Sequence, residues 1–179
     1  QRLQVPGDLS RPVMERLRKA TRKTVNDRKL QGLALAAIRE TFEETGLIVG
    51  RPASRPAMTT HSVWRDYFAH GAEPPLEHMD FIARAITPAY LTRRFDTRFF
   101  MIHDQFIFND PEQISNASGE LNELHWLTLN EARQLDLPLV TRWAIDLVEK
   151  RIQLSPAEQL QQSAPFVRFA RGQEISVDL

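Results

Sequence analysis

Apolar and polar positions along Leu35–Gly50, LAAIRETFEETGLIVG, repeat with a helical period. At about 100° per residue, Leu35, Ile38 and Phe42 fall within roughly 60° of one another and form an apolar stripe. Glu40, Glu43 and Glu44 gather on the opposite side, within roughly 100°. Gly46 ends the pattern, as a residue that tolerates the left-handed conformation does. Leu47, Ile48 and Val49 then predict a short buried strand. One helix face therefore docks into a core, while three carboxylates are held outward beside a sharp turn.

The same reading places the other elements. VPGD is a turn, and Ser10, or Asp8, caps a helix with Pro12 in its first turn. Val13, Leu17 and Ala20 line its apolar stripe along PVMERLRKATRKTV. Arg16, Arg18, Lys19, Arg22 and Lys23 form the opposite face, either simply solvated or attracting phosphate. Asn26 to Gln31 is a polar joint, and the acidic helix starts near Leu30 to Gly32. SVWRDYFAHG predicts a short helix, with Trp64 and Phe68 directed to the core or, as the alternative, to a nucleobase. DFIARAIT, Asp80 to Thr87, alternates as a strand and stops at Pro88. RRFDTRFFMIHD, Arg93 to Asp104, is the next strand. Its Arg94, Asp96 and Arg98 make a ladder that is either a structural ion-pair network or a substrate-facing row. Beyond a further short strand and a polar loop, HWLTL reads as a strand, with Asn130 capping a helix at EARQL. LVTRWAIDLVEKRI is amphipathic, with Val140, Trp143, Ala144, Leu147 and Val148 on one face. PFVRFARG reads as a late strand or cover.

Composition narrows the chemistry. At 179 residues a single domain is the default. The chain has no Cys, which excludes disulfides, a thiol nucleophile and zinc-thiolate sites. Its formal net charge of zero supplies no global attraction to nucleic acid or to an acidic membrane. No run of about 18 apolar residues is present, so a soluble, cytoplasmic protein is expected. No two of the five histidines show ligand spacing.

The acidic face is costly for a plain helix. Glu40–Glu43 and Glu40–Glu44 are like-charge pairs, each unfavourable by about 0.2–0.5 kcal/mol, and Arg39 offsets part of this at i,i+4 from Glu43. The face is either solvated or a site for a hard divalent cation, which takes oxygen ligands and substrate phosphates. RETFEETGL, Arg39 to Leu47, resembles the second half of the Nudix box, G-x5-E-x7-R-E-U-x-E-E-x-G-U with U aliphatic. Arg39, Glu40, Glu43, Glu44, Gly46 and Leu47 match in place; Thr41 departs from the aliphatic position. At ordinary residue frequencies the five fixed residues would coincide in about one chain of this length in ten thousand. The first half does not match: Gln31 and Val25 stand where the pattern has Glu and Gly. Either the box is degenerate, or an insertion separates the glycine-rich half from the helix and puts that loop, with the first strand, upstream of Gln1. TP…RRFDTRFF is also similar to a group of bacterial and mitochondrial Nudix hydrolases, some acting on coenzyme A esters.

The resemblance implies an α/β fold, an α/β/α sandwich with a mixed sheet. Residues 1–30 would be a helical insertion or lead-in, 31–153 the core and 154–179 a tail. It also implies hydrolysis of a nucleoside diphosphate linked to another moiety, such as a coenzyme A or NDP-sugar compound. Mg²⁺ or Mn²⁺ would be held by Glu40, Glu43 and Glu44. Arg39 would orient Glu43, and Glu43, Glu44 or a distal carboxylate, Glu120 and then Glu123, would take a proton. Arg94 and Arg98 would face substrate. A nucleic-acid polymer and a membrane are not expected partners, and a homodimer is left open. The competing expectations are a Nudix-fold binding module without catalysis and an unrelated α/β domain with an acidic helix.

Overall fold

The computed structural model describes residues 5–21, 24–88, 92–110, 125–170 and 173–179. Helices and a mixed sheet make this an α/β fold, and the chain divides into two compact units. The first comprises Gln1–Ser10, Gln31–Met79 and Ile102–His125; the second comprises Arg11–Leu30, Asp80–Met101 and Trp126–Leu179.

Helix α1 spans Arg11–Lys19 and α2 spans Asp27–Thr45, the latter contributing Gln31–Thr45 to the first unit. The first unit then adds β1 (Arg51–Pro52), α3 (Ser62–Ala69) and β2 (Ala72–Glu73), with β1 and β2 antiparallel. Leu47–Val49 does not form a full strand. It is held by a single antiparallel bridge, Val49 to Ile107, with backbone bonds of 2.8 Å from Phe108 to Ile48 and from Gly50 to Phe106. The core holds Ala34, Ile38, Ile48, Trp64, Tyr67 and Leu76, all buried. Tyr67 is fully buried, whereas Phe68 is only half-buried. The Tyr67 hydroxyl donates to the Val49 carbonyl at 2.7 Å, and its ring meets Phe42 edge-on at 5.7 Å. Burial, and to a lesser extent the Glu73 charge, push the Tyr67 pKa up.

The second unit is built on β3 (Asp80–Ile86), β4 (Asp96–Met101), β5 (Pro165–Ala170) and β6 (Gln173–Asp178), in spatial order β4-β3-β5-β6. The β3–β5 pairing is parallel and the other two are antiparallel, so the sheet is mixed. Helices α4 (Leu129–Gln134), α5 (Leu139–Ile152) and α6 (Pro156–Gln161) lie between β4 and β5 in the chain. The first four residues of β3 are buried, as a strand covered on both faces should be. Val13 and Leu17 of α1 are fully buried, each burial contributing about 1.5–3 kcal/mol.

Several boundaries differ from expectation, each for a local reason. Helix α1 ends at Lys19, short of the full PVMERLRKATRKTV stretch. Arg22 and Lys23 of the expected basic face lie outside the described residues. Asn26 is no part of a joint: its side chain accepts from the Lys29 amide at 3.0 Å, so it caps α2, which begins at Asp27. Strand β4 begins at Asp96, leaving Arg93 to Phe95 outside it, and ends at Met101. His125 to Thr128 forms no strand, and Trp126 is 65% exposed. The cap of α4 is Thr128 rather than Asn130: its hydroxyl accepts from the Glu131 amide, and Glu131 returns a bond to the Thr128 amide. Ser155 and Glu158 make the same reciprocal box at α6. Trp143 is half-buried, edge-on to Phe99 at 6.2 Å. Strand β6 was not anticipated.

The largest departure is Arg16. It does not sit on a solvated face; it is buried, paired with the equally buried Asp80 at the start of β3. Arg151 of α5 approaches the other Asp80 oxygen at 3.1 Å. Both guanidiniums also donate to backbone carbonyls, Arg16 to Leu160 and Gln162, Arg151 to Gln159 and Ser163. Burial raises the Asp80 pKa, with Arg16 and Arg151 pulling the other way. The carboxylate thus ties α1, α5 and the α6–β5 connection to one strand.

Candidate functional site

The C-terminal half of α2 carries the acidic face. It ends because Gly46 turns left-handed, at φ +72°, while its amide bonds the Phe42 carbonyl at 2.9 Å. The Thr45 hydroxyl accepts from the Leu47 amide at 3.0 Å. Across the turn, Asn109 accepts from the Ile48 amide at 2.8 Å and donates to the Gly46 carbonyl at 3.0 Å. A side chain 61 positions along from Ile48 thereby fixes the exit from the acidic helix. Thr41, the residue departing from the box pattern, is half-buried and donates its hydroxyl to the Ala37 carbonyl at 2.9 Å. That bond satisfies the polar atom internally, which is how a hydroxyl occupies an aliphatic position.

Arg39 lies between two of the carboxylates. Its guanidinium pairs with Glu40, and its Nε stands 3.5 Å from Glu43. Glu44, on the same helix face, is exposed and makes no ion pair with the described residues. One cation among three anions leaves the face negative. Among the described residues, no group of three or more His, Asp or Glu side chains is gathered as a metal site. The donors are nevertheless of the right kind: carboxylate oxygens, accessible and one helical turn apart, suit a hard divalent ion that takes its remaining ligands from water and substrate phosphates.

Arg94 and Arg98 belong to the second unit. Arg94 is exposed and precedes β4. Arg98 lies on β4, directly opposite Arg84 of β3. Arg84, an alternating position of β3 that no spacing in the sequence singles out, takes the central role: it grips both Asp96 oxygens, at 2.7 and 2.6 Å, and also donates to the Ala20 carbonyl. Burial opposes ionisation of Asp96, but the Arg84 hydrogen bonds and the charges of Arg98 and Arg84 outweigh it and lower its pKa. The rungs of the ladder are therefore Arg84, Asp96 and Arg98, rather than Arg94, Asp96 and Arg98. Glu120 and Glu123 lie outside the described residues. No helix among the described residues is long and apolar enough to cross a membrane. No protein-family model, curated protein or solved structure matches the chain.

Proposed function

We propose that the chain is a Nudix-type hydrolase that cleaves the diphosphate of a nucleoside diphosphate joined to another group. The observation that carries this reading is the in-register set Arg39, Glu40, Glu43, Glu44 and Gly46 on a helix that Gly46 ends. Glu40 and Glu44, with Glu43 beside them, would hold Mg²⁺ or Mn²⁺, which when bound supplies charge neutralisation of the diphosphate and acidification of a bound water.

The side chains divide the remaining work. Arg39 does not reach outward to substrate; with Glu40 and Glu43 as its partners, it positions these carboxylates against their mutual repulsion. Glu44, free of that pairing among the described residues, is available as a ligand or as the base that takes the proton of an attacking water. Glu120 is the distal candidate for the same duty. The anchored turn at Gly46 and Asn109 restricts movement of the acidic face, as a site working by positioning and electrostatics needs. A Nudix-like α/β/α arrangement, a cytoplasmic setting and a small-molecule diphosphate substrate belong to the same reading.

A second reading, a binding module without turnover, draws on Gln31 and Val25 at the positions where the box carries Glu and Gly. A panel of NDP-sugars, dinucleotides and coenzyme A, incubated with Mg²⁺ or Mn²⁺ and followed by phosphate-containing products, separates the two. Hydrolysis by the wild type that falls at least 100-fold in Glu44→Gln supports the enzyme. Saturable metal-dependent ligand binding without products supports the module. Metal binding unchanged by Glu44→Gln, with no products from any substrate, overturns both.

A further inference from the structure

The second unit carries an unbalanced cationic face that the acidic helix does not explain. Arg84 of β3 and Arg98 of β4 are direct cross-strand partners. Like charges so placed repel, and their side chains point to the same face of the sheet. Among the described residues, only Asp96, opposite Ile86 on that face, lies between them. Arg84 consumes most of what Asp96 offers, binding both oxygens and resting its guanidinium over the Phe166 ring, 4.5 Å from the centroid. Arg98 is left with two long contacts of 3.3 Å from one nitrogen, to the side chain and the backbone carbonyl of Asp96. Its Nε is buried without a hydrogen-bond partner among the described residues, and the side chain as a whole is only 13% exposed.

A guanidinium held so far out of water, sharing one carboxylate with a better-placed competitor, is under-compensated. Further positive charge lies on the same face. In the parallel β3–β5 register, Phe166 stands opposite Arg84 and Arg168 opposite Ile86, so Arg168 projects from the Arg84 face. Arg168 is exposed and pairs with none of the described residues. Among the described residues, the face thus presents three arginines to one aspartate. Phe99 alternates to the other side of β4, where it meets Trp143.

We propose that this face of the second unit is an oxyanion site for a phosphate or diphosphate group of a small molecule, with Arg98 as its half-buried anchor and Arg168 as its exposed arm. A planar guanidinium fork pairs bidentately with such oxygens, and charge-assisted bonds of this kind are the strong ones. The anion supplies the second counter-charge that Asp96 alone does not. The site involves none of Glu40, Glu43 and Glu44, and the proposal stands whether or not the hydrolase reading does.

Inorganic pyrophosphate, titrated calorimetrically into the intact chain at low salt and without divalent metal, is the probe. Arg168→Gln is exposed and leaves the fold intact; Arg98→Lys keeps the charge and removes the fork. Each is expected to weaken pyrophosphate at least 10-fold, while the charge-matched Arg55→Gln leaves the affinity within twofold. Circular dichroism confirms that the variants are folded. Wild-type affinity in folded Arg168→Gln and Arg98→Lys, equal weakening in Arg55→Gln, or no saturable binding of pyrophosphate overturns the proposal.

Discussion

Asp80→Asn tests the organisation of the second unit most severely. The wild-type carboxylate is buried between two buried guanidiniums, Arg16 and Arg151. Asparagine has nearly the same shape, so little packing is lost, but both cations lose their counter-charge in a site with little access to water. Breaking a buried ion pair by removing one partner costs about 3–5 kcal/mol. That is a large share of the roughly 5–15 kcal/mol that holds a typical domain folded. With a urea slope of about 1–3 kcal/mol per molar, the midpoint should fall by roughly 1–5 M, or the unit should fail to fold. Urea titrations followed by far-ultraviolet circular dichroism measure it. Asp27→Asn is the control: it removes an ion pair with Arg18 in which both side chains are well exposed, and should leave the midpoint close to wild type. A midpoint for Asp80→Asn within about 0.3 M of wild type would refute the reasoning, because the arginines would then need no buried counter-charge.

The other expectations concern the first unit. Asn109→Ala strips partners from the Ile48 amide and the Gly46 carbonyl and should lower stability by about 1–3 kcal/mol, with faster amide exchange at Ile48 by NMR. A Cβ on Gly50 would lie 2.9 Å from the Tyr67 hydroxyl oxygen and 3.0 Å from the Ala72 Cβ, so Gly50→Ala should cost about 1–3 kcal/mol in thermal or urea denaturation. Glu73 is buried; burial opposes its ionisation, but bonds from Ser54 and Arg51 and the charge of Arg51 outweigh it and lower its pKa. Its contribution is therefore present above the ordinary glutamate pKa and is lost as pH falls through the lower folded value. Glu73→Gln should flatten the acid-side slope of stability against pH; an unchanged slope counts against the pairing.

The sequence made the acidic helix legible because all its signals are local. Spacing marks the stripe of Ile38 and Phe42, and Gly46 marks the stop. It was less informative wherever a residue takes its role from a distant one. Arg16 reads as one more surface cation until Asp80, 64 positions away, meets it in the fold. Asn109 reads as a loop residue until its amide spans the Gly46 turn. Arg84 sits in an alternating strand with nothing to show that it, rather than Arg94, completes the ladder with Asp96. Trp126 and Leu127 suggested a strand by hydrophobicity alone, yet both are exposed and no sheet partner takes them up. Thr128 was within reach: Thr-x-x-Glu is the signature of a capping box, and Asn130 competed with it only by residue type.

Mn²⁺ binding followed by electron paramagnetic resonance, on wild type beside Glu40→Gln and Glu44→Gln, tests the central claim most directly. The proposed hydrolase predicts a saturable Mn²⁺ site in the wild type, tightened by a non-hydrolysable nucleoside diphosphate analogue and weakened at least 10-fold in each variant. Equal Mn²⁺ affinity in all three proteins, with or without the analogue, would contradict it and leave the C-terminal half of α2 as a structural helix with a solvated acidic face.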